Sequence, residues 1–240
     1  MAAQALPKKR LPESTLSQSA LRQSPFCYLQ YQRRSHETPI KPDLPWFVNP
    51  YKSVEVVLVG GSHLSRLLWF CPGIASQLPQ NIMLAAMDDP IAKLQYRLEL
   101  PNGILFELQQ RNETRKIVFM AGSRDILPTT DDASSPEPAV NLDSVVGRVG
   151  QILESIRLYL PAVQIEVWGL PRDAQNHPNI AVFNQKLAHL CVRHKVQYRG
   201  DVFEASCQTP DLWLEDGYHL NVRGYQTCIL PAVVAAARIV

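Results

Sequence analysis

Apolar residues along this chain fall into two alternating rhythms. Val54-Glu55-Val56-Val57-Leu58-Val59 is a short, β-branched run that ends at Gly60-Gly61, the pattern of a strand buried on both faces. Comparable runs stand at Asn81–Ala86, Lys116–Ala121 and Gln164–Trp168, with a weaker one at Lys195–Tyr198. Between them the period lengthens. Leu142, Val145, Val146, Val149, Ile152, Leu153, Ile156 and Leu160 recur at helical spacing, which predicts an amphipathic helix with Asn141 as its N-cap. Ile180–Arg193 and Tyr225–Ile239 also read as helices, the second started or kinked by Pro231. Strands alternating with helices predict a parallel five-stranded sheet with helices on both faces, a three-layer α/β/α sandwich. In such sheets reactive groups gather beyond the carboxyl ends of the strands.

Residues 1–52 break this rhythm. Pro, Ser, Gln and Arg dominate there without sustained periodicity, so the reading is a disordered basic tail followed by one domain over residues 53–240. Trp46, Phe47 and Tyr51, set among prolines, suggest a strap against the domain. The tail carries eight Lys/Arg against three Asp/Glu, while the rest carries 16 against 19, so the net charge of +2 hides a basic arm on a mildly acidic body. Such an arm suits an anionic surface or nucleic acid, and equally a solvated leader.

A chain of 240 residues with 46% apolar and 19% charged positions excludes collagen, a coiled coil and a wholly disordered protein. No apolar run reaches the ~18 residues of a membrane span. The basic start MAAQALPKKR has no apolar stretch behind it, so no secretory signal is read. Cys27, Cys71, Cys191, Cys207 and Cys228 are odd in number, widely spaced and free of CxxC, which argues against a disulfide framework or zinc site and suits a reducing cytoplasm.

Two short segments carry candidate chemistry. Ser62 follows Gly60-Gly61 at the end of the first strand and precedes an apparent helix, His63–Phe70. That position offers its hydroxyl to the crevice and its backbone N–H to a developing negative charge. A helix N-cap serine is the plainer alternative. His63 reads as a rim residue. Far along the chain stands Leu214-Glu215-Asp216-Gly217-Tyr218-His219-Leu220-Asn221. An Asp and a His three apart on a turn can hydrogen-bond, fixing the imidazole tautomer and leaving the other ring nitrogen free to take a serine proton. Trp213 and Tyr218 flank this turn, either as packing or as an acyl-pocket lining, and 128–140 reads as a mobile loop above the crevice.

The order Gly-x-Ser after the first strand, Gly-x-x-Asp after a central strand and Asp-Gly-x-His-Leu-Asn before a final helix resembles the SGNH (GDSL-type) hydrolases. Ile165–Arg172 and Phe183-Asn184-Gln185-Lys186-Leu187 also look like that family, and the resemblance spans about residues 54–238. It implies a flavodoxin-like sandwich in which Ser62 is nucleophile, His219 general base and then acid, and Asp216 its orienting partner. It implies no metal and no organic cofactor. Three departures stand out. Gly61 replaces the usual Asp before the serine. The third block reads Gly122-Ser123-Arg124-Asp125, with Arg124 where an oxyanion-binding Asn is expected. The stretch Ala85–Pro90 contains no glycine to supply the second block's N–H. Ser62, Gly122 and Arg124 are therefore the candidate oxyanion and substrate contacts, and Arg124 can instead pair with Asp125 or Asp216.

Two functions follow. One is a serine esterase that hydrolyses a small acyl ester on a carbohydrate or lipid. The other is a catalytically impaired SGNH-like binding or assembly module, of the kind also found in retroelement-encoded proteins, whose basic tail contacts nucleic acid or membrane.

Overall fold

Five runs of apolar residues form one parallel sheet: β1 (Val56–Gly60), β2 (Ile82–Ala86), β3 (Lys116–Met120), β4 (Gln164–Trp168) and β5 (Gln197–Arg199). The computed structural model describes residues 54–70, 81–86, 89–101, 103–127, 140–172, 177–203 and 209–238. The expected tail, the strap residues, Cys27, Cys71, Cys207 and 128–139 of the expected loop lie outside them.

Strand order is β2-β1-β3-β4-β5, every neighbouring pair parallel. Each residue of β1 is buried, as befits a central strand covered on both faces. The helices are α1 (Ser62–Phe70), α2 (Ile91–Glu99), α3 (Ile104–Arg111), the single turn α4 (Ser123–Ile126), α5 (Leu142–Tyr159) and α6 (Pro178–His194). The chain moves one way from β1 to β2 and the other way in every later crossover. Right-handed crossovers therefore put α1 on one face and α2, α3, α5 and α6 on the other. The contacts agree: α2 packs on α3 and α5, α5 packs on α6, and α1 lies against β1 and β2. This is the predicted three-layer sandwich, with each strand within about two residues of its expected place.

Asn141 caps α5 as expected, its side-chain oxygen accepting the Ser144 N–H at 3.0 Å. The expected C-terminal helix is broken into α7 (Val222–Gly224), a wide π-helical turn at Tyr225–Ile229, and α8 (Leu230–Ala237) with Pro231 in its first turn. Proline donates no N–H and its ring crowds the preceding turn, which explains the widening there. α2 and α3 are absent from the sequence reading. α2 buries Arg97 beside Ile91, Leu94 and Leu98, and this charge, ion-paired to Asp89 at 2.8 Å, interrupts what would otherwise be an apolar stripe.

Reversal of crossover direction between β1 and β3 creates a crevice at their carboxyl ends. Gly60 is in register with Met120, and the Gly61 N–H donates to the Met120 carbonyl at 3.1 Å, so the two chains leave the sheet abreast. Gly122, just past β3, has a φ of 118°, and a Cβ on it would lie 2.6 Å from the Phe183 ring. Gly61 is different. A Cβ there meets nothing closer than 3.8 Å. Chemical denaturation should accordingly find Gly122→Ala less stable by about 2 kcal/mol or more, and Gly61→Ala within about 1 kcal/mol of the parent.

Candidate active site

Ser62 is the first residue of α1. It is buried, at 3% exposure, and its backbone N–H belongs to a helical first turn that has no intrahelical acceptor. Gly61 starts that turn by accepting the Leu64 and Ser65 N–H groups with its carbonyl, and the Ser65 hydroxyl closes on the Ser62 carbonyl at 3.0 Å. Directly across, Ser123 opens α4. Its Oγ is 3.0 Å from the Ser62 Oγ, and it is as buried as its partner. Tyr218 brings a third hydroxyl, 3.4 Å from the Ser62 Oγ.

The Asp216–Asn221 segment arrives on a short closed loop. Trp213 and Leu220 form an antiparallel bridge, the Leu214 N–H donates to the His219 carbonyl at 2.8 Å, and Gly217 turns the chain with a φ of 67°. Asn221 locks the far end. Its Oδ1 accepts the Gly224 N–H, while its Nδ2 donates to the carbonyls of Asp211 and Trp213. The final Asn of the Asp-Gly-x-His-Leu-Asn run is thus a clasp between loop and helix.

Asp216 and His219 meet as expected. The Asp216 Oδ2 lies 2.8 Å from the His219 Nδ1, and its Oδ1 accepts the backbone N–H groups of Tyr218 and His219 at 3.0 and 2.8 Å. Partial burial works against the ionised carboxyl. The His219 N–H, the imidazole and the Tyr218 N–H outweigh it and hold Asp216 below the usual carboxylate range. A carboxylate on Nδ1 fixes the tautomer and the orientation of the imidazole. The Tyr218 ring lies against the His219 ring, centroids 3.9 Å apart and tilted 49°, and so links the imidazole to the serine hydroxyl.

His63 is not at the rim. It is 3% exposed because the Tyr218-His219 turn covers it, its ring 5.8 Å from each of theirs. Burial, with the neighbouring His219 and Arg66 charges, lowers its pKa to about 3, and its Nδ1 has no hydrogen-bond partner. His63 is therefore a neutral imidazole throughout the physiological range.

The third block divides its duties. Ser123 faces Ser62, Gly122 supplies the left-handed turn before it, and Arg124 is exposed. Asp125 is engaged by the start of α2. Both its oxygens accept the Ile91 N–H, at 3.2 and 3.0 Å. Burial raises its pKa. Asn184 ties the strand-then-Pro-Arg segment to α6, exchanging 2.8 Å hydrogen bonds with both backbone groups of Leu170. In the stretch read as the second block, residues 87–88 lie outside the described part of the chain. Ser123 is the contact that sequence reasoning missed. It sits one position before the residue that the block pattern singles out, and only the register of β1 with β3 brings it to Ser62. No group of three His, Cys, Asp or Glu capable of holding a metal ion occurs among the described residues.

No protein-family model matches the chain, and no curated protein sequence does. Solved structures do. A catalytic mutant of Axe2, an acetylxylan esterase from Geobacillus stearothermophilus, superposes with a TM-score of 0.57 at 12% identity, covering 78% of this chain and 94% of its own. The acetyl xylan esterase AlAXEase gives 0.53 at 12% identity, over 78% of this chain and 100% of its own. TesA gives 0.53 at 14% identity, over 77% and 98%. These neighbours are SGNH-type esterases, and the likeness shows that this chain has their fold.

The buried His63 yields a signed prediction. Between pH 6.5 and about 3 the unfolded chain takes up a proton that folded His63 refuses, so its contribution makes stability fall as the pH falls. The slope from this one group is at most about 1.4 kcal/mol per pH unit. Thermal melts across that window should show a shallower acid-side decline for His63→Gln than for the parent.

Proposed function

We propose that the chain is a serine esterase that hydrolyses a small acyl ester through Ser62, His219 and Asp216. The observation that carries this reading is the Asp216–His219 pair on a loop whose next ring, Tyr218, reaches the Ser62 hydroxyl. A carboxylate that accepts two backbone N–H groups and one imidazole nitrogen has a single orientation, and it dictates that of the imidazole. His219 takes the Ser62 proton as the oxygen attacks the ester carbonyl, and then returns it to the departing alcohol. Water, activated by the same imidazole, releases the acyl group. Asp216 stays ionised and stabilises the imidazolium. The oxyanion forms beside the start of α1, where the Ser62 N–H is a donor and the helix end favours negative charge.

Acetylated xylan is what two of the structural neighbours act on by name, so an acetyl ester on a carbohydrate is the first natural substrate to try. The odd, widely spaced cysteines suit a reducing compartment, with the cytoplasm as the default location. No helix among the described residues is long and apolar enough to cross a membrane.

The binding-module reading has one observation in its favour. Arg124 stands where the third block usually has an oxyanion-binding Asn, and it is exposed. Turnover separates the two. On a short-chain nitrophenyl ester, Ser62→Ala should lose at least about 10³-fold in kcat and Asp216→Asn about 10²–10⁴-fold. A fluorophosphonate should label the parent and not Ser62→Ala. Equal rates for parent and Ser62→Ala would discard Ser62 as nucleophile, and an unlabelled, inactive parent favours the binding module.

A further inference from the structure

Three hydroxyls meet in the crevice, and only one of them is needed as a nucleophile. The other two belong to Ser123, 3.0 Å from the Ser62 Oγ, and Tyr218, 3.4 Å from it. We propose that the Ser123 and Tyr218 hydroxyls are the side-chain donors to the oxyanion, with Ser123 serving the third block one position ahead of Arg124. The inference rests on the esterase reading and names the groups that complete its site.

The backbone accounts for Ser123. Gly122 is held at a φ of 118°, and the Phe183 ring fills the space where a Cβ would stand. This left-handed step fixes the direction of the next residue. Ser123 enters the crevice at 2% exposure, and Arg124, one residue on, is exposed. A serine hydroxyl rotates freely about its C–O bond, so its proton can follow the changing charge.

Tyr218 is placed from the other side. Its backbone N–H is bound to the Asp216 Oδ1 at 3.0 Å, its ring rests on His219, and it meets the buried His63 edge-on at 74°. The carboxylate that orients the general base thus also orients this hydroxyl. A separation of 3.4 Å is long for an O–H···O bond, so at rest Tyr218 is only loosely engaged with the serine.

The protons balance without a new reagent. At rest the Ser62 oxygen can accept from either neighbour. When it loses its own proton to His219 and bonds to the carbonyl carbon, it becomes an ester-like oxygen and a poor acceptor. The carbonyl π electrons move to the adjacent oxygen, which is now the strongest acceptor within reach. Both hydroxyls turn to it while keeping their protons, and on collapse of the intermediate the charge leaves with the alcohol, which is protonated by His219. Donors whose bonds strengthen only in the transition state raise kcat and leave ground-state binding largely untouched.

The test compares kcat and KM on a short-chain nitrophenyl ester, together with the rate of fluorophosphonate labelling, for the parent, Ser62→Ala, Ser123→Ala, Tyr218→Phe and Arg124→Ala. Tyr218→Phe keeps the ring on His219, and Ser123→Ala removes one buried atom. Melting temperatures confirm that each variant is folded. Ser123→Ala and Tyr218→Phe should each lower kcat by about 10- to 10³-fold with little change in KM, and labelling should slow in parallel. Parent-like kcat in both, while Ser62→Ala is inactive, overturns the assignment and leaves the esterase reading intact. So does a loss that appears only in KM, or one confined to Arg124→Ala. Full activity in Ser62→Ala instead fails the esterase reading itself, and this inference with it.

Discussion

Pairing of β1 with β3 is the constraint from which the site follows. Once Gly60 lies opposite Met120, Ser62 and Ser123 leave the sheet side by side, two and three residues later, at the point where crossovers change direction. Strand register brings the two serines together, and the local turns only aim them. Parallel strands buried on both faces cannot slip by one residue without turning their side chains to the wrong layer, so the approach of the two hydroxyls is as well specified as the core itself. Gly122 adds the one backbone conformation that directs position 123 inward.

The loop bearing Asp216 and His219 is organised differently. It has almost no sheet to lean on, and it is held by hydrogen bonds at both ends: Asp216 binds the two N–H groups that follow it, and Asn221 grips Asp211, Trp213 and Gly224. Beneath it, His63 is buried and uncharged.

Much of the frame was legible in the chain. β4 is found where its apolar run stands, and α5 begins at the predicted cap, because strong periodicity and local hydrogen bonding decide both. β5 is displaced by about two residues, since a three-residue strand at the sheet's margin is set by its partner β4 more than by its own sequence. α2 and α3 escaped notice because a buried Arg97 breaks the stripe of the first, and the second is only eight residues long. Asp216 and His219 are three apart, so their pairing could be read locally. Ser123 and His63 could not be. The approach of one to Ser62 depends on strand register, and the burial of the other depends on a loop about 150 residues downstream.

The brevity of β5 bears on how these molecules behave in a crowd. A parallel sheet ends in a strip of unsatisfied amide and carbonyl groups on which a second chain can add itself, and long, flat margins of that kind seed fibrils. Here that margin is only three residues long, Gln197–Arg199, and it ends in an arginine. It offers too little backbone for an extended segment to zip onto, and its charge deters stacking. On that side, then, shortness and charge together discourage the addition of further strands.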